Sequence, residues 1–290
     1  MKQKIIILTP VYKDWKSLLK LLDKINIIFK TDIRSKFDLV IVDDNSNEKV
    51  NFSNFKKETI NRLKILKLEK NLGSQRAIAI GLRFIQKTYI ENYYTIVMDS
   101  DGQDNPDGII EMIKKINSQN VNTIVAKRGQ RKEPLWFRFF YEIYCFTIMI
   151  FTLKKIRHGN FCLINYKDVN KILLNNDIWN AFPPVISVSL KTFDYITLDR
   201  EERYAGASKM SFFGLIQHAL RVFSVLRVRV LIMSIIYIFS IYYMFENQYL
   251  IFLLFFLMII FIFNFVNFFL SINCKKRFKK NYSIFKLLEH

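Results

Sequence analysis

A chain of 290 residues has room for one catalytic domain of roughly 200 residues and an appendage. Its formal charge of +19 accompanies heavy Lys, Ile, Asn and Phe usage, and no basic stripe with interleaved aromatics forms an RNA-binding motif, so no nucleic-acid partner is expected. The three cysteines, Cys145, Cys162 and Cys274, are odd in number and lack C-x-x-C spacing, which points to a reducing compartment and away from a structural zinc.

In chain order, residues 4–12 read as a buried strand ending in a Pro turn, and a chain running straight into a strand is not expected to carry a cleavable signal peptide. Asp14 is placed to cap a helix in which Trp15, Leu18, Leu22, Ile25 and Phe29 recur at helical spacing. A second strand, residues 37–42, ends in Asp43-Asp44-Asn45-Ser46. A third, residues 63–68, leads to Asn71-Leu72-Gly73 and a helix over about residues 74–87. Residues 94–98 form a fourth strand, Pro106 opens another helix, and residues 121–126 form a fifth strand. Strands alternating with helices of this length predict an α/β fold, a mostly parallel sheet with helices on both faces.

From Lys127 the pattern changes. Lys127, Arg128, Arg131, Lys132 and Arg138 form a basic stretch before the apolar residues 139–153, which are too short to span a bilayer comfortably and suit an interfacial helix. Residues 158–164 resume sheet-like character, Phe182-Pro183-Pro184 precedes a helix, and residues 203–209 form a polar loop. Residues 211–227 then read as an amphipathic helix along a membrane surface. Residues 228–245 would cover about 27 Å as a helix and residues 249–272 about 36 Å, enough for two spans. Glu246-Asn247-Gln248 between them carries no basic residue, whereas Arg227, Arg229, Lys275, Lys276 and Arg277 flank the pair. The positive-inside rule then places both flanks and the soluble domain in the cytoplasm, with a multi-pass cell-membrane location. The expected organisation is a catalytic domain over 1–210, a juxtamembrane helix over 211–227, two transmembrane helices over 228–272 and a basic cytoplasmic tail over 273–290.

Directly behind the fourth strand stands Asp99-Ser100-Asp101-Gly102-Gln103-Asp104, at the strand's carboxyl end, where open α/β sheets place their ligands. Alternate residues of an extended segment point the same way, so Asp99 and Asp101 can converge on one point. At ~4 Å and an effective dielectric of ~20, two carboxylates repel by about 4 kcal/mol, and both repel a phosphate. Mg²⁺ or Mn²⁺ between them and a diphosphate turns both repulsions into attractions. A D-x-D alone is common by chance, and an Asp-Asn-Ser sequence after a strand favours a turn anyway. The order of the motifs carries the weight.

Taken together, these motifs resemble glycosyltransferase family 2, the GT-A fold enzymes with a Rossmann-like sheet, and within it the polyprenyl-phosphate sugar transferases. The resemblance covers about residues 4–215. It implies that Thr9, Pro10 and Tyr12 lie in the first nucleotide-contacting turn, that Asp43, Asp44 and Ser46 form the D-D-x-S element beside the base or ribose, and that Asn71 and Gly73 form the N-x-G before the next helix. It further implies that Asp99, Asp101 and Gln103 hold the metal and the diphosphate, with Asp104 in the same catalytic D-x-D-x-Q-x-x-P group. Arg203, Gly206, Ser208 and Lys209 match R-x-x-G-x-S-K. Around the family's G-x-F-R-L, where an acidic residue and an arginine are usual, this chain has His158 and Cys162, and Gly102 replaces a commoner larger residue.

The expected activity is inverting transfer of a single sugar from a UDP- or GDP-sugar to a polyprenyl phosphate at the cytoplasmic membrane face. A sugar hydroxyl needs a carboxylate base, but a phosphate monoester is already an anion at pH 7 and needs cations beside it instead. Arg128, Arg138, Arg203 and Lys209, with Ser208, are the candidates for that phosphate, set apart from the acidic cluster. The alternative is a glycosyltransferase acting on a hydroxyl of a glycan or lipid-linked saccharide. The processive synthases of this fold carry Q-x-x-R-W, which residues 217–222 do not match. A catalytically inert membrane scaffold is the reading from another class, and a second copy of the chain is a further candidate partner.

Overall fold

The computed structural model describes residues 4–48, 50, 58–119, 121–129, 135–205, 212–245, 250–281 and 285–289. Strands β1 (Lys4–Val11), β2 (Phe37–Asp43), β3 (Ile60–Leu68), β4 (Tyr93–Val97), β5 (Thr123–Arg128), β6 (His158–Asn165), β7 (Asp194–Leu198) and β8 (Phe285–Glu289) form one sheet in the order β7-β5-β6-β4-β1-β2-β3-β8. Strands β4, β1, β2 and β3 run parallel, as does β7 beside β5. β6 runs antiparallel to both β4 and β5, and β8 antiparallel to β3, so the sheet is mixed.

The unbroken apolar runs of β1 and β2 follow from cover on both faces. Because successive side chains alternate, Ile6, Leu8, Val40 and Val42 enter one core layer with helices α2 (Ser74–Thr88), α5 (Tyr166–Leu174) and α6 (Phe182–Ser189). Ile7, Leu39, Ile41 and Ile96 enter the other with α1 (Trp15–Thr31) and α3 (Gly108–Ser118). Helix α2 lies so close to β1 that a Cβ on Gly81 would come within 2.3 Å of the Leu8 side chain.

Two strands were not anticipated. β7 is short, half-buried and edged by charged residues, and β8 is five residues inside a basic stretch expected to be a tail. Their strand identity comes from the sheet edges they complete, which local sequence does not display. The cap at α1 also differs. Asp14 occupies the N-cap position, but its side chain makes no cap bond and instead accepts from Arg203 Nη2 at 2.9 Å.

The remaining helices are α4 (Leu135–Thr152), α7 (Phe212–Val225), α8 (Arg227–Phe245) and α9 (Leu250–Asn281). Helix α9 runs well past residue 272 before the chain returns to the sheet as β8. The head of α8 and the later part of α9 are fastened to one carboxylate, because Asp177 accepts from Arg227 Nη1 at 2.5 Å and from Ser271 Oγ at 2.8 Å. Asp177 belongs to a single 3₁₀ turn, Asn176–Trp179, and the next residue, Asn180, donates to Ser224 of α7 at 2.9 Å. Between the two helices, Asn264 donates to Ser234 at 3.0 Å.

Among the described residues, one helical stretch, Leu254–Asn273, is long and apolar enough to cross a bilayer. Gly214–Val225 and Arg227–Tyr243 meet that standard only as a pair, bent by 86° at their junction. Of the two spans expected from sequence, the first therefore does not reach span character alone. Arg227 at its head turns into the domain, and Ser234, Tyr237, Ser240, Tyr242 and Tyr243 dilute its apolar run.

Candidate active site

The carboxyl ends of β1, β2, β3 and β4 lie along one edge of the sheet, and the loops leaving them bring the nucleotide-turn, acidic and N-x-G motifs together. Thr9 and Pro10 remain within β1, opposite Ile41 and Val42. Pro10 falls past the last β1–β4 pair, Leu8 opposite Val97, where its missing N–H costs no ladder bond on that side. Asp43 Oδ1 accepts from Ser46 N–H at 2.9 Å, and Ser46 Oγ accepts from Lys13 N–H at 2.9 Å, which ties the β1 and β2 ends together next to Tyr12. Asp44 is buried and accepts from the N–H groups of Leu72 at 2.6 Å and Gly73 at 2.8 Å. Burial pushes its carboxyl up to about 6, with those two bonds pulling the other way. Asp44 thus shapes the Asn71-Leu72-Gly73 loop, leaving Asn71 exposed at the rim.

The acidic loop is closed from within. Asp99 N–H donates to Asp104 Oδ2 at 3.1 Å, and Gln103 N–H donates to Asp101 Oδ1 at 3.0 Å. Asp104 is therefore a loop-forming carboxylate in this arrangement. From outside, residues 200–204 strap the loop down. Arg200 donates to Gln103 Oε1, Glu201 N–H to the Gln103 carbonyl at 3.0 Å, and Tyr204 N–H to the Asp101 carbonyl at 3.1 Å. Arg203 donates to Asp101 Oδ2 at 2.8 Å and, as noted, to Asp14. Sequence reasoning set Arg203 apart from the acidic cluster, and the fold joins them.

Gly102 now has a reason. Its φ is +81°, a left-handed conformation that L side chains rarely adopt, and a Cβ there would lie 2.3 Å from the Tyr204 ring. Gly102→Ala should lift Tyr204 and the strap off the loop, lowering stability by about 1–3 kcal/mol and impairing donor binding. Thermal unfolding with nucleotide titration checks this, and an unchanged melt would show that the ring packs loosely.

Of the other predicted groups, Arg128 lies at the end of β5 opposite Leu198, and Arg138 lies on α4. Their side chains, and all of Ser208 and Lys209, fall outside the described residues. His158 does not take part in the cluster. It is buried, and since a carbonyl only accepts, its Nε2–H donates to Pro183 O at 3.0 Å. Burial lowers its pKa to about 4, so the ring is neutral at pH 7. Cys162 is buried within β6, and burial raises its thiol well above the usual range. Three residues that sequence reasoning passed over do reach the site: Asn160 donates to Asp99, Gln75 to Asn160, and Arg200 to Gln103. The open cleft beside the loop is lined by Gln103, Asp104, Lys127, Gly159, Phe161 and Arg200.

Among the described residues, no three His, Cys, Asp or Glu side chains converge in a metal-ligating group. The Asp99 and Asp101 carboxylates and the Gln103 amide are hard oxygen donors that suit Mg²⁺ or Mn²⁺ when a diphosphate and water complete the shell. The guanidinium seated on Asp101 marks that carboxylate as a place where positive charge is held.

The family model for glycosyl transferase family 2 matches residues 6–172. An uncharacterized glycosyltransferase of Synechocystis is 25% identical over 231 residues, 77% of this chain and 70% of that protein. The uncharacterized glycosyltransferase YkcC of Bacillus subtilis is 28% identical over 156 residues, 51% of this chain and 45% of that protein. Among solved structures, glucosyl-3-phosphoglycerate synthase from Mycobacterium tuberculosis, in complex with Mn²⁺, uridine diphosphate and glucosyl-3-phosphoglycerate, aligns with a TM-score of 0.53. That likeness covers 79% of this chain and 80% of the other at 10% identity, and it is a likeness of fold.

Proposed function

Because the chain belongs to glycosyl transferase family 2, we propose that it transfers one sugar from a UDP- or GDP-sugar to a polyprenyl phosphate at a membrane face, inverting the anomeric carbon. The coarser activity, nucleotide-sugar-dependent glycosyl transfer, follows from the family and fold. The acceptor is the proposal's finer part. The observation that carries it is Arg203, whose guanidinium stands 2.8 Å from Asp101 and so brings a cation to the reaction centre itself.

Thr9, Pro10, Tyr12, Asp43 and Ser46 line the nucleotide end of the edge, and Asp44 holds the N-x-G loop in shape there. Asp99, Asp101 and Gln103 would hold Mg²⁺ or Mn²⁺; the mycobacterial synthase of like fold is a complex with Mn²⁺. The chemistry such an ion would supply is charge neutralisation at the leaving diphosphate. Each carboxylate of the cluster already serves as an acceptor: Asp101 toward Gln103 and Arg203, Asp99 toward Asn160, and Asp104 toward Asp99 N–H. A phosphate acceptor, anionic at pH 7, asks for none of them as a base and is steadied instead by Arg203.

The membrane reading rests on the appendage. Phe261, Phe265 and Phe269 stack along one exposed face of α9, and Leu231, Ile235 and Phe239 are exposed on α8. An apolar surface of that extent suits a lipid phase. Since Arg227 and Ser271 both reach Asp177 and β8 rejoins β3, a hairpin inserted there leaves both ends on the catalytic domain's side, which we assign to the cytoplasm.

Purified protein should transfer label from a UDP- or GDP-sugar to undecaprenyl phosphate, giving a product labile to mild acid. Arg203→Ala should lower that transfer roughly ten- to a hundredfold, the worth of one charged hydrogen bond, while donor binding falls less. Label arriving on a hydroxyl of a glycan or lipid would overturn the polyprenyl-phosphate reading.

A further inference from the structure

Asp99 does not set its own orientation. Its Oδ1 accepts from Asn160 Nδ2 at 3.0 Å, Asn160 Oδ1 accepts from Gln75 Nε2 at 3.0 Å, and Gln75 Oε1 accepts from the backbone N–H of Phe182 at 2.7 Å. The three links join β6, α2 and the start of α6, elements far apart in sequence. The polarity of this chain is fixed at both ends. A carboxylate oxygen can only accept and a backbone N–H can only donate. Two primary amides between those ends have one consistent arrangement, with each NH₂ pointing toward Asp99 and each carbonyl toward Phe182. Both amides are half-buried, so water competes for them only in part.

We propose that Gln75 and Asn160 are positioning residues for the donor site, an amide relay that pins one oxygen of Asp99 so that the carboxylate presents the other to a divalent cation on the donor's diphosphate. The proposal rests on the reading of Asp99 as part of that site. The relay's root is buried. Phe182 is fully buried and follows the 3₁₀ turn that Asp177 ties to the α8–α9 pair. Partners that orient metal-bound carboxylates in this way typically contribute roughly ten- to a hundredfold to metal affinity.

The reversed polarity gives a sharp test. Gln75→Glu keeps size and keeps an acceptor for Phe182 N–H, but its carboxylate has no hydrogen to give Asn160. The Asn160 amide then turns its NH₂ toward position 75 and its carbonyl toward Asp99, which repels the carboxylate it formerly held. Asn160→Ala removes the link outright. Calorimetric titration of the full-length protein with UDP and with GDP, each with and without Mn²⁺, reads the effect without turnover. Both variants should bind the Mn²⁺–nucleotide roughly ten- to a hundredfold more weakly, keep their metal-free nucleotide affinity and melt within a few degrees of wild type. Wild-type Mn²⁺–nucleotide affinity in Gln75→Glu overturns the relay, and so does an equal loss of metal-free binding, which would mean a damaged pocket. A wild-type protein that binds neither nucleotide with Mn²⁺ overturns the donor-site reading, and the relay with it.

Discussion

Asp101→Asn should leave the fold intact and reduce sugar transfer by roughly a hundredfold or more. The substitution keeps an oxygen for Gln103 N–H but removes the charge that faces Arg203 Nη1 at 2.8 Å. Arg203 retains Asp14, at 2.9 Å, so the guanidinium keeps one of its two ion pairs and the melt should move little. What is lost is one of the two carboxylate charges proposed to hold a divalent cation against the donor diphosphate at this end of β4. EDTA should act on the wild type as the substitution does, and Mn²⁺ or Mg²⁺ should restore the wild type alone. Full activity in chelator would remove the metal from this site. Full activity of Asp101→Asn with metal present would remove Asp101 from the chemistry and leave it as an anchor for Arg203.

Much of this site was legible in the residues because its motifs are local. Each lies within a few residues of a strand end, and a parallel sheet brings strand ends to one edge without further instruction, so Asp43, Asp44, Asn71 and Asp99 all follow strands that end along that edge. What could not be read was pairing across long separations. Arg203 lies 102 residues from Asp101 and 189 from Asp14, and nothing in its loop discloses that its partners are carboxylates of the first strand's turn and of the acidic cluster. Asn160 stands 61 residues from Asp99, between His158 and Cys162, whose side chains turn into the core. Gln75 sits two residues past the N-x-G glycine, close to a recognised motif yet not part of it. β8 was hidden for another reason. Five residues in a basic segment form a strand only because the edge of β3 is there to receive them.

Asp177→Ala should have the larger effect on stability and little direct effect on chemistry. The carboxylate is buried and satisfies groups from two segments, Arg227 at the head of α8 and Ser271 in α9, with Asn180–Ser224 bracing α7 beside it. Removing one member of a buried ion pair commonly costs about 3–5 kcal/mol, because the other charge is left without compensation. Arg227 keeps 20% of its side-chain surface exposed, so partial hydration brings the expectation below that range, to about 2–3 kcal/mol. For a domain of this size that lowers the melting temperature by roughly 5–10 °C, measurable by thermal unfolding. The charge itself can be separated from the packing. Asp177→Leu combined with Arg227→Leu removes both charges and should recover part of the loss, whereas Asp177→Leu alone should not. Limited proteolysis adds the structural readout: with Asp177 gone, both roots of the hairpin loosen together, and cleavage near residues 226 and 273 should rise in parallel. An unchanged melt with both roots still protected would show that the α8–α9 pair is held to the catalytic domain by its apolar contacts and by β8, with the buried carboxylate contributing nothing to the junction.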